Sequence, residues 1–312
     1  MKTALLVGSR GQDGTLLTAL LAEAGVAVVG LDADGVSFTG RVLTGVPTSA
    51  SVLDRDAIRA LARAVVPDEA YYLAAHHHSS EQADDPAEEF ARCSDVHVVG
   101  LVNVLEALRA DAPRCRTFYA GSSHMFGNPC SPVQDESTPF APRNAYAITK
   151  VAGAHACAVY RERYGMHVSV GILYNHESPL RGPSFITQRL VRGARQAAGD
   201  AAATLRVGSL SAIVDWGWAP DYVDAMRRIV AATGPDDYVV ATGEPHTVRE
   251  FANLAYAAVG RDYRAHVVED TSIVKSALKK PLVGNAAKLR AKTGWQPTVT
   301  FAEMVKRLTL AE

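Results

Sequence analysis

The sequence predicts a doubly wound parallel α/β sheet, and two observations lead to that prediction. The first is an alternation of short apolar runs, typical of buried parallel strands, with segments whose apolar residues have helical spacing. The second is a glycine-rich loop, G-S-R-G-Q-D-G over residues 8–14, between the first strand and the first helix. In such folds ligands bind at the carboxyl ends of the strands.

Composition and charge narrow the function classes. The 312 residues are enough for one large domain or two smaller ones, and a formal net charge of -1 with no long basic run argues against nucleic-acid or anionic-membrane partners. No apolar segment approaches the roughly 20 residues that span a bilayer. Four cysteines without metal or redox spacing lead us to expect a reduced, cytoplasmic protein.

The glycine-rich loop predicts a dinucleotide site. Residues 3–7 form the first predicted strand, and the leucines within residues 16–21 mark the helix that follows the loop. Glycine allows a tight turn there and lets the backbone approach a pyrophosphate at the helix N-terminus. The residues predicted to contact the cofactor at this loop are Gly8, Gly11, Gln12, Asp13 and Gly14.

The end of the second predicted strand indicates which dinucleotide is bound. Residues 26–31 form that strand, and Asp32 follows it. A carboxylate in this place can accept a hydrogen bond from the ribose 2′-hydroxyl of NAD, and it would repel the 2′-phosphate of NADP. No arginine lies near Asp32 before Arg41, so we expect NAD as the cofactor.

Three consecutive histidines raise the hypothesis of a metal site. They follow a predicted helix at residues 54–66 and a predicted strand at residues 69–75, in the segment A-A-H-H-H-S-S. Consecutive residues do not converge on one ion, and no carboxylate or cysteine lies at ligand spacing. We therefore interpret the segment as a polar loop that borders the cofactor, with Ala74 among the contacting residues, and predict no metal site.

The middle of the chain carries the predicted chemistry. A long amphipathic helix is expected at residues 86–110 and the next strand at residues 116–120. That strand leads into Ser122, Ser123 and His124. Tyr146 and Lys150 lie four positions apart on the helix predicted at residues 146–164, so their side chains share one face.

These side chains suit the oxidation of an alcohol by a nicotinamide. An ammonium group near a phenol favours the phenolate, so Tyr146 beside Lys150 could accept a proton near neutral pH. The Ser122 hydroxyl could orient the substrate alcohol. Both Tyr146 and Lys150 are also expected to contact the cofactor.

Beyond the strand predicted at residues 167–174 the pattern becomes mixed. Helices are expected at residues 185–198 and 221–231 and an extended segment at residues 204–207. Thr247 with Glu250 and Thr300 with Glu303 have the spacing of capping boxes. We expect an NAD-binding domain at residues 1–173, to which segments near 210–245 return, and mainly a smaller mixed α/β substrate lobe at residues 174–312.

Motifs along nearly the whole chain carry a family resemblance. They are G-S-R-G-Q-D-G, P-D-E-A-Y-Y-L-A-A, Y-A-I-T-K, G-I-L-Y-N-H-E-S-P-L-R-G-P-S-F-I-T, V-G-S-L-S-A-I-V-D-W-G-W-A-P-D-Y-V, T-G-E-P-H-T-V-R-E-F and T-G-W-Q-P. Through them the chain resembles the extended short-chain dehydrogenase/reductases, which have a Rossmann-type fold, and most closely the GDP-mannose 4,6-dehydratases. Gly-Gln-Asp-Gly, Asn-His-Glu-Ser-Pro and Asp-Trp-Gly together are far more specific than the general dinucleotide fingerprint.

The resemblance implies an internal redox cycle on a nucleotide-linked hexose. Tyr146 would take the proton of the C4 hydroxyl while hydride passes to NAD, and Ser122 would hydrogen-bond the reacting oxygen. Lys150 would hold the nicotinamide ribose and lower the pKa of Tyr146. A base would then remove the C5 proton, water would leave from C6, and the hydride would return to C6 to give a 4-keto-6-deoxy sugar.

The resemblance also implies a substrate pocket and an assembly. The residues it assigns to the nucleotide sugar are Ser123, Asn175, Ile186, Arg189 and Lys275. The helices at residues 86–110 and 146–164 have apolar faces suited to a four-helix contact in a homodimer, and a higher homo-oligomer is also compatible; burial within one subunit is the alternative.

The chain departs from the family pattern at several positions. His124 replaces a glutamate that handles the C5 and C6 protons; an imidazole can be both base and acid near pH 7, although it could also support another step or only shape the site. Val214 replaces the arginine before Asp-Trp-Gly, and Lys275 replaces a late phosphate-binding arginine without offering its bidentate fork. Ala33 and Asp34 replace basic residues, which is consistent with NAD.

The sequence is therefore compatible with three functions. The preferred function is a nucleotide-sugar 4,6-dehydratase, with His124 in place of glutamate. The second is an epimerase or 4-ketoreductase on the same scaffold, which needs Tyr146 and Lys150 but no elimination at C6. The third is a catalytically lapsed cofactor-binding protein, against which the presence of Ser122, Tyr146 and Lys150 argues.

Overall fold

A large central sheet organises the chain, whose computed structural model describes residues 2–40, 44–76, 85–273 and 280–311. The strands are β1 (Thr3–Val7), β2 (Ala27–Asp32), β3 (Gly35–Thr39), β4 (Glu69–Tyr72), β5 (Arg116–Ser122), β6 (Val168–Leu173), β7 (Asn175–Glu177), β8 (Leu205–Val207), β9 (Ile213–Trp218), β10 (Asp237–Val240), β11 (Pro245–Thr247) and β12 (Val267–Glu269). The α-helices are α1 (Gln12–Glu23), α2 (Arg55–Val65), α3 (Pro86–Ser94), α4 (Leu101–Asp111), α5 (Ala145–Tyr164), α6 (Ile186–Gly199), α7 (Ala219–Ala231), α8 (Val248–Ala258), α9 (Ala287–Thr293) and α10 (Phe301–Leu310).

The central sheet has seven strands in the order β10-β6-β5-β4-β1-β2-β3. Its neighbours pair in parallel, except β3, which runs antiparallel to β2 at the edge. Because β1 lies between β2 and β4, the strand order reverses there, and in such sheets ligands bind at this point. The predicted doubly wound α/β fold is confirmed; strands β3 and β10 were not predicted.

The predicted helix at residues 86–110 is helical throughout but not uniformly α-helical. A π-helical segment, Asp95–Gly100, separates α3 from α4. A wider turn of this kind changes the direction of the side chains that follow it, and such turns are frequent at functional sites. Helix α5 begins where the Asn144 side chain accepts a hydrogen bond from the Ala147 amide at 2.8 Å, and it ends at Gly165, whose φ is 65°.

The buried apolar side chains among the described residues form two hydrophobic cores. The larger core is formed by the central sheet with its flanking helices, and it includes Tyr222 on α7 and Trp295. The smaller core joins α6, α8 and α10 around Trp216, beside two small sheets ordered β11-β9-β7 and β12-β8. We call these parts the large lobe and the small lobe.

Only one of the two predicted capping boxes is complete. At α8, Thr247 and Glu250 each bond the backbone of the other, as predicted. At α10, the Thr300 hydroxyl accepts from the Glu303 amide, but the Glu303 carboxylate contacts Arg307 one turn further on. The prediction of a complete capping box at α10 is therefore wrong, because the Glu303 carboxylate bonds Arg307 instead of the Thr300 backbone.

Candidate active site

A cavity of about 830 Å³ follows the carboxyl ends of the parallel strands. Five of the seven strands of the central sheet contribute a lining residue at or beside their carboxyl ends, namely Val7, Leu31, Leu73, Ser122 and Leu173. Its lining also includes Asp32 at the end of β2 and Phe185 just before α6. It lies where the fold class places a ligand.

The glycine-rich loop is packed so closely that two of its glycines admit no side chain. Gly8 has φ 91°, and a Cβ there would lie 2.7 Å from the Ala74 backbone nitrogen. A Cβ at Gly14 would lie 2.2 Å from the Gly8 carbonyl oxygen. At Gly11, which precedes α1, a Cβ would meet only that oxygen, at 3.6 Å. The loop is therefore held against Ala74, while its backbone borders the cavity at the start of α1.

The side chains of Gln12 and Asp13 connect the glycine-rich loop to β7. The Asp13 carboxylate lies 3.0 Å from Nε2 of His176, whose Nδ1 lies 2.7 Å from the Tyr174 carbonyl oxygen. Gln12 donates to the His176 carbonyl at 3.1 Å and accepts from the Ser178 hydroxyl at 2.8 Å. Two motifs more than 160 residues apart, Gly-Gln-Asp-Gly and Asn-His-Glu-Ser, thus contact one another directly.

The carboxylate of Asp13 and the imidazolium of His176 stabilise each other. Burial disfavours the charged form of both partners, yet the pKa of Asp13 is lowered and the pKa of His176 is raised, because each faces the opposite charge at hydrogen-bond distance. Asp13 and Gln12 line the cavity, but both side chains have protein partners. The sequence did not reveal this role for His176.

Asp32 lies at the cavity end that the sequence assigned to the adenosine ribose. Its carboxylate accepts from the Ser9 hydroxyl at 2.5 Å and from the Arg10 amide at 3.1 Å. The expectation that no arginine lies nearby is wrong, because folding brings Arg10 of the glycine-rich loop to the end of β2. There the Arg10 guanidinium pairs with Asp34.

The reactive groups meet between β5 and α5. Ser122 ends β5, and its hydroxyl oxygen accepts a hydrogen bond from the His124 amide at 3.2 Å. The His124 ring stands edge-on to the Tyr146 ring, with centroids 6.0 Å apart. Lys150 is buried and donates to the Ala120 carbonyl oxygen at 2.8 Å. These four side chains and Ser123 line the same cavity, so the structure brings the predicted catalytic residues together.

The acid–base properties of this group differ from the expectation. Burial raises the pKa of Tyr146 above its ordinary value, and it outweighs the hydrogen bond with Ser122 and the charge of Arg181, which both lower that pKa. Burial also lowers the pKa of Lys150 to about 7, and its ammonium nitrogen lies 5.8 Å from the Tyr146 ring centroid. The expected lowering of the Tyr146 pKa is therefore not observed.

Arg181, which was not predicted as a site residue, lines the cavity. Its guanidinium carbon lies 3.7 Å from the Phe185 ring centroid, and its Nε lies 3.7 Å from the buried Glu177 carboxylate. Glu177 also accepts from the Thr187 hydroxyl at 2.6 Å. Burial, together with the Arg181 charge, lowers the pKa of His124, which favours the neutral imidazole. The four-residue spacing of Glu177 and Arg181 was the available sequence signal.

The predicted substrate residues fall into three groups. Asn175, like Ser123, lines the cavity. Ile186 and Arg189 are on the first turn of α6, just beyond the cavity boundary at Phe185, and Arg189 donates to the Arg206 carbonyl at 2.5 Å. Lys275 lies outside the described residues, as do two of the three consecutive histidines, His77 and His78.

None of the helices in the described ranges is long and apolar enough to cross a membrane. Among the same residues, no cluster of three or more histidine, cysteine, aspartate or glutamate side chains could hold a metal ion.

Sequence comparison shows similarity along the whole chain. The family model for GDP-mannose 4,6 dehydratase matches residues 5–308. GDP-mannose 4,6 dehydratase 1 of Arabidopsis thaliana is 36% identical over 324 residues, which cover 98% of this chain and 88% of the relative. GDP-mannose 4,6 dehydratase 2 of Caenorhabditis elegans is 35% identical over 343 residues, covering 100% and 89%.

Solved structures share the fold at lower identity. RMD from Pseudomonas aeruginosa complexed with NADPH has a TM-score of 0.83 at 24% identity and covers 99% of this chain and 98% of its own. dTDP-glucose 4,6-dehydratase from Bacillus anthracis in complex with NAD has a TM-score of 0.81 at 16% identity, covering 99% and 96%. The UDP-glucose 4-epimerase complex of Thermus thermophilus with NAD has a TM-score of 0.80 at 23% identity, covering 98% and 97%.

Proposed function

The chain belongs to the GDP-mannose 4,6-dehydratase family, and on that basis we propose that it is a lyase that converts a nucleotide-linked hexose to its 4-keto-6-deoxy derivative. The observation that carries the proposal is the meeting of Ser122, His124, Tyr146 and Lys150 in the cavity that the glycine-rich loop also lines. A GDP-hexose is the first substrate to test, because the relatives are named for GDP-mannose. Because Val214 and Lys275 replace two arginines of the family pattern, other nucleotide sugars are tested beside it.

The residues at the cavity fit a nicotinamide dinucleotide. Gly8 and Gly14 keep side chains away from the start of α1, where backbone amides can meet a pyrophosphate. Lys150, which lines the same cavity, would contact the nicotinamide ribose. When bound, the nicotinamide would accept a hydride from C4 of the hexose and return it at C6.

We propose NAD as the cofactor in preference to NADP. Asp32 presents a carboxylate at the end of β2, and Asp34 neutralises the Arg10 guanidinium that could otherwise attract a 2′-phosphate. Two negative charges against one positive charge leave this end of the cavity unfavourable for a phosphate.

Tyr146 would be the proton acceptor at the C4 hydroxyl. Ser122, which bonds the phenol, would hold the reacting oxygen beside it. Because burial raises the pKa of Tyr146, the phenol needs a positive charge nearby to lose its proton, and the Arg181 guanidinium acts in that direction.

His124 would carry the elimination. A neutral imidazole can take the C5 proton, after which the C6–oxygen bond breaks and a C5–C6 double bond forms. The imidazolium then donates its proton to the departing C6 hydroxyl, which leaves as water. The Arg181 charge disfavours the imidazolium and so makes it a stronger acid for that second transfer.

A second candidate function is an epimerase or 4-ketoreductase, because His124 replaces the glutamate that handles the C5 and C6 protons in the family. A reaction in deuterated water with NAD and a panel of nucleotide sugars, followed by mass spectrometry, separates the functions. Loss of water with one deuterium retained at C5 supports the dehydratase. Deuterium gain without water loss would mean an epimerase, and no change with any sugar would contradict the proposal.

We further propose that the protein is a cytoplasmic homodimer whose residues 1–173 bind the cofactor and whose residues 174–312 mainly bind the sugar nucleotide. Exposed apolar side chains on α3 and α5 support the dimer, since Phe90, Ile148 and Val159 are 45%, 42% and 49% exposed. All four cysteines are free thiols, as a reducing compartment allows. Light scattering of the wild type and of Val159→Asp, which should be monomeric, tests the assembly.

A further inference from the structure

His97 is a fully buried histidine to which no role has been assigned so far. It lies in the π-helical segment Asp95–Gly100, between α3 and α4. Its Nδ1 lies 2.8 Å from the Thr149 hydroxyl oxygen on α5. Its Nε2 accepts a hydrogen bond from the His76 amide at 3.1 Å. One imidazole thus joins the loop after β4 to the helix that carries Tyr146 and Lys150.

The hydrogen-bond partners assign the tautomer of His97. An amide can only donate, so Nε2 carries a lone pair towards His76. The Thr149 hydroxyl lies 2.9 Å from the Ala145 carbonyl oxygen and 3.0 Å from that of Tyr146, so its proton points to these acceptors. Thr149 therefore accepts from His97, which carries its proton on Nδ1 and is neutral.

The contact with His76 holds the wall of the cofactor site. Cys93 lies one turn before His97, and its Sγ lies 3.7 Å from the His76 carbonyl oxygen, so both polar groups of residue 76 bond this helix. Ala74, two residues earlier, packs against Gly8 of the glycine-rich loop and lines the cavity. His97 and Cys93 therefore fix the loop on which the glycine-rich loop rests.

The contact with α5 reaches the catalytic groups. The His97 ring stands edge-on to the Tyr146 ring, with centroids 5.2 Å apart and an interplanar angle of 88°. Thr149 is the residue directly before Lys150. His97 thus limits both the tilt of the phenol and the rotation of the first turn of α5.

The π-helical turn that aims His97 has its own supports. The Val96 carbonyl oxygen accepts from the Tyr72 hydroxyl at 2.5 Å. A Cβ at Gly100 would lie 2.6 Å from that hydroxyl oxygen, so only glycine leaves room for the contact. The contacts with Tyr72 therefore hold the turn in place, and turns of this kind are frequent at functional sites.

We propose that His97 is a positioning residue that couples the cofactor-lining loop after β4 to the orientation of Tyr146. The catalytic half of this proposal rests on the proposed function, since it takes Tyr146 as the proton acceptor. The other half, the order of the loop that NAD contacts, does not depend on which sugar is the substrate.

The test compares His97→Leu, which removes both hydrogen bonds, with Thr149→Val, which removes only the contact to α5. Lys306→Leu, at an exposed position on α10, is the control. NAD affinity is measured by calorimetry without sugar, and kcat and KM are measured with the active nucleotide sugar. We expect His97→Leu to weaken NAD about tenfold and to lower kcat about 100-fold at little changed KM, since a shift of about 1 Å costs this much. Thr149→Val should lower kcat and leave NAD affinity unchanged.

The variants also separate positioning from folding. His97→Asn retains a donor and an acceptor and should recover part of both losses, which the apolar His97→Leu cannot. Wild-type NAD affinity and kcat in His97→Leu would overturn the proposal, as would equal losses in His97→Asn and His97→Leu. If the wild type dehydrates no sugar, the proposed function fails, and NAD affinity alone decides the role of His97: unchanged affinity in His97→Leu overturns it.

Discussion

In the large lobe, consecutive strands and helices bring the reactive groups together, whereas in the small lobe buried carboxylates join segments that are far apart in sequence. Ser122 ends β5 and Tyr146 begins the next helix, α5, so the catalytic contact is local. Asp215 on β9 accepts from the amides of Thr242, Gly243 and Gly284 at 3.0 to 3.1 Å. The Ser122 and Tyr146 contact thus stands on a regular framework of neighbouring elements, whereas the position of β9 depends on polar contacts that are distant in sequence.

The difference predicts that the two lobes fail differently when they are altered. A change at the reactive groups should remove turnover and leave stability intact. A change at a buried carboxylate beside the small lobe should reduce stability and sugar binding first. The predictions below test this separation, beginning with the largest expected effect.

Tyr146→Phe should lower kcat by about 1000-fold or more, because it removes the proton acceptor while the ring keeps its packing. NAD affinity and the melting temperature should stay near the wild-type values. Kinetics, calorimetry and thermal unfolding measure the three quantities. Retained turnover would remove Tyr146 from the mechanism.

Asp215→Ala should reduce the free energy of unfolding by about 3 kcal/mol, because it leaves several buried amides without an acceptor. Glu303→Gln on α10, which alters a half-exposed ion pair with Arg307, should cost less than about 1 kcal/mol. Urea unfolding of both variants gives the comparison. Equal small losses would show that the Asp215 contacts do not hold the segments together.

His124→Ala should lower dehydration about 100-fold, and His124→Glu should recover much of it, if the position handles the C5 proton. The pH dependence carries a sign as well. Because the pKa of His124 is lowered, the neutral base persists below the ordinary histidine value, and the loss of activity that protonation of His124 causes should lie below about pH 6.5. Full activity in His124→Ala would leave His124 a role in shape alone.

Asp34→Ser should improve NADP binding about tenfold, since it frees the Arg10 guanidinium to meet a 2′-phosphate. Asp32→Ala should relax the preference through the other carboxylate. Binding of NAD and NADP to each variant, measured without sugar, gives the ratio. An unchanged ratio in both variants would contradict the assignment of this end of the cavity.

The same contrast explains what the sequence could predict. The β1–loop–α1 unit and the Ser122, Tyr146 and Lys150 group were predictable, because their contacts follow from local periodicity and fixed spacing. Strand β10 was not, because its four residues are stabilised mainly by pairing with β6.

Other site features depend on contacts between distant residues. Arg10 meets Asp34, Asp13 meets His176, and His97 meets Thr149 only after folding. The shift in the pKa of Tyr146 is also a consequence of burial, which a helix pattern does not reveal. Ile186 and Arg189 lie beyond the cavity boundary, because α6 begins just after Phe185.

The most direct test of the account follows the hydrogen at C4. GDP-mannose, or the sugar nucleotide identified by the panel, is supplied with deuterium at C4 and excess unlabelled NAD, and the product is examined by NMR. We predict that the deuterium appears on the C6 methyl group of the 4-keto-6-deoxy product, with none in the NAD pool. Deuterium in the NAD pool, or its retention at C4, would contradict the internal redox cycle.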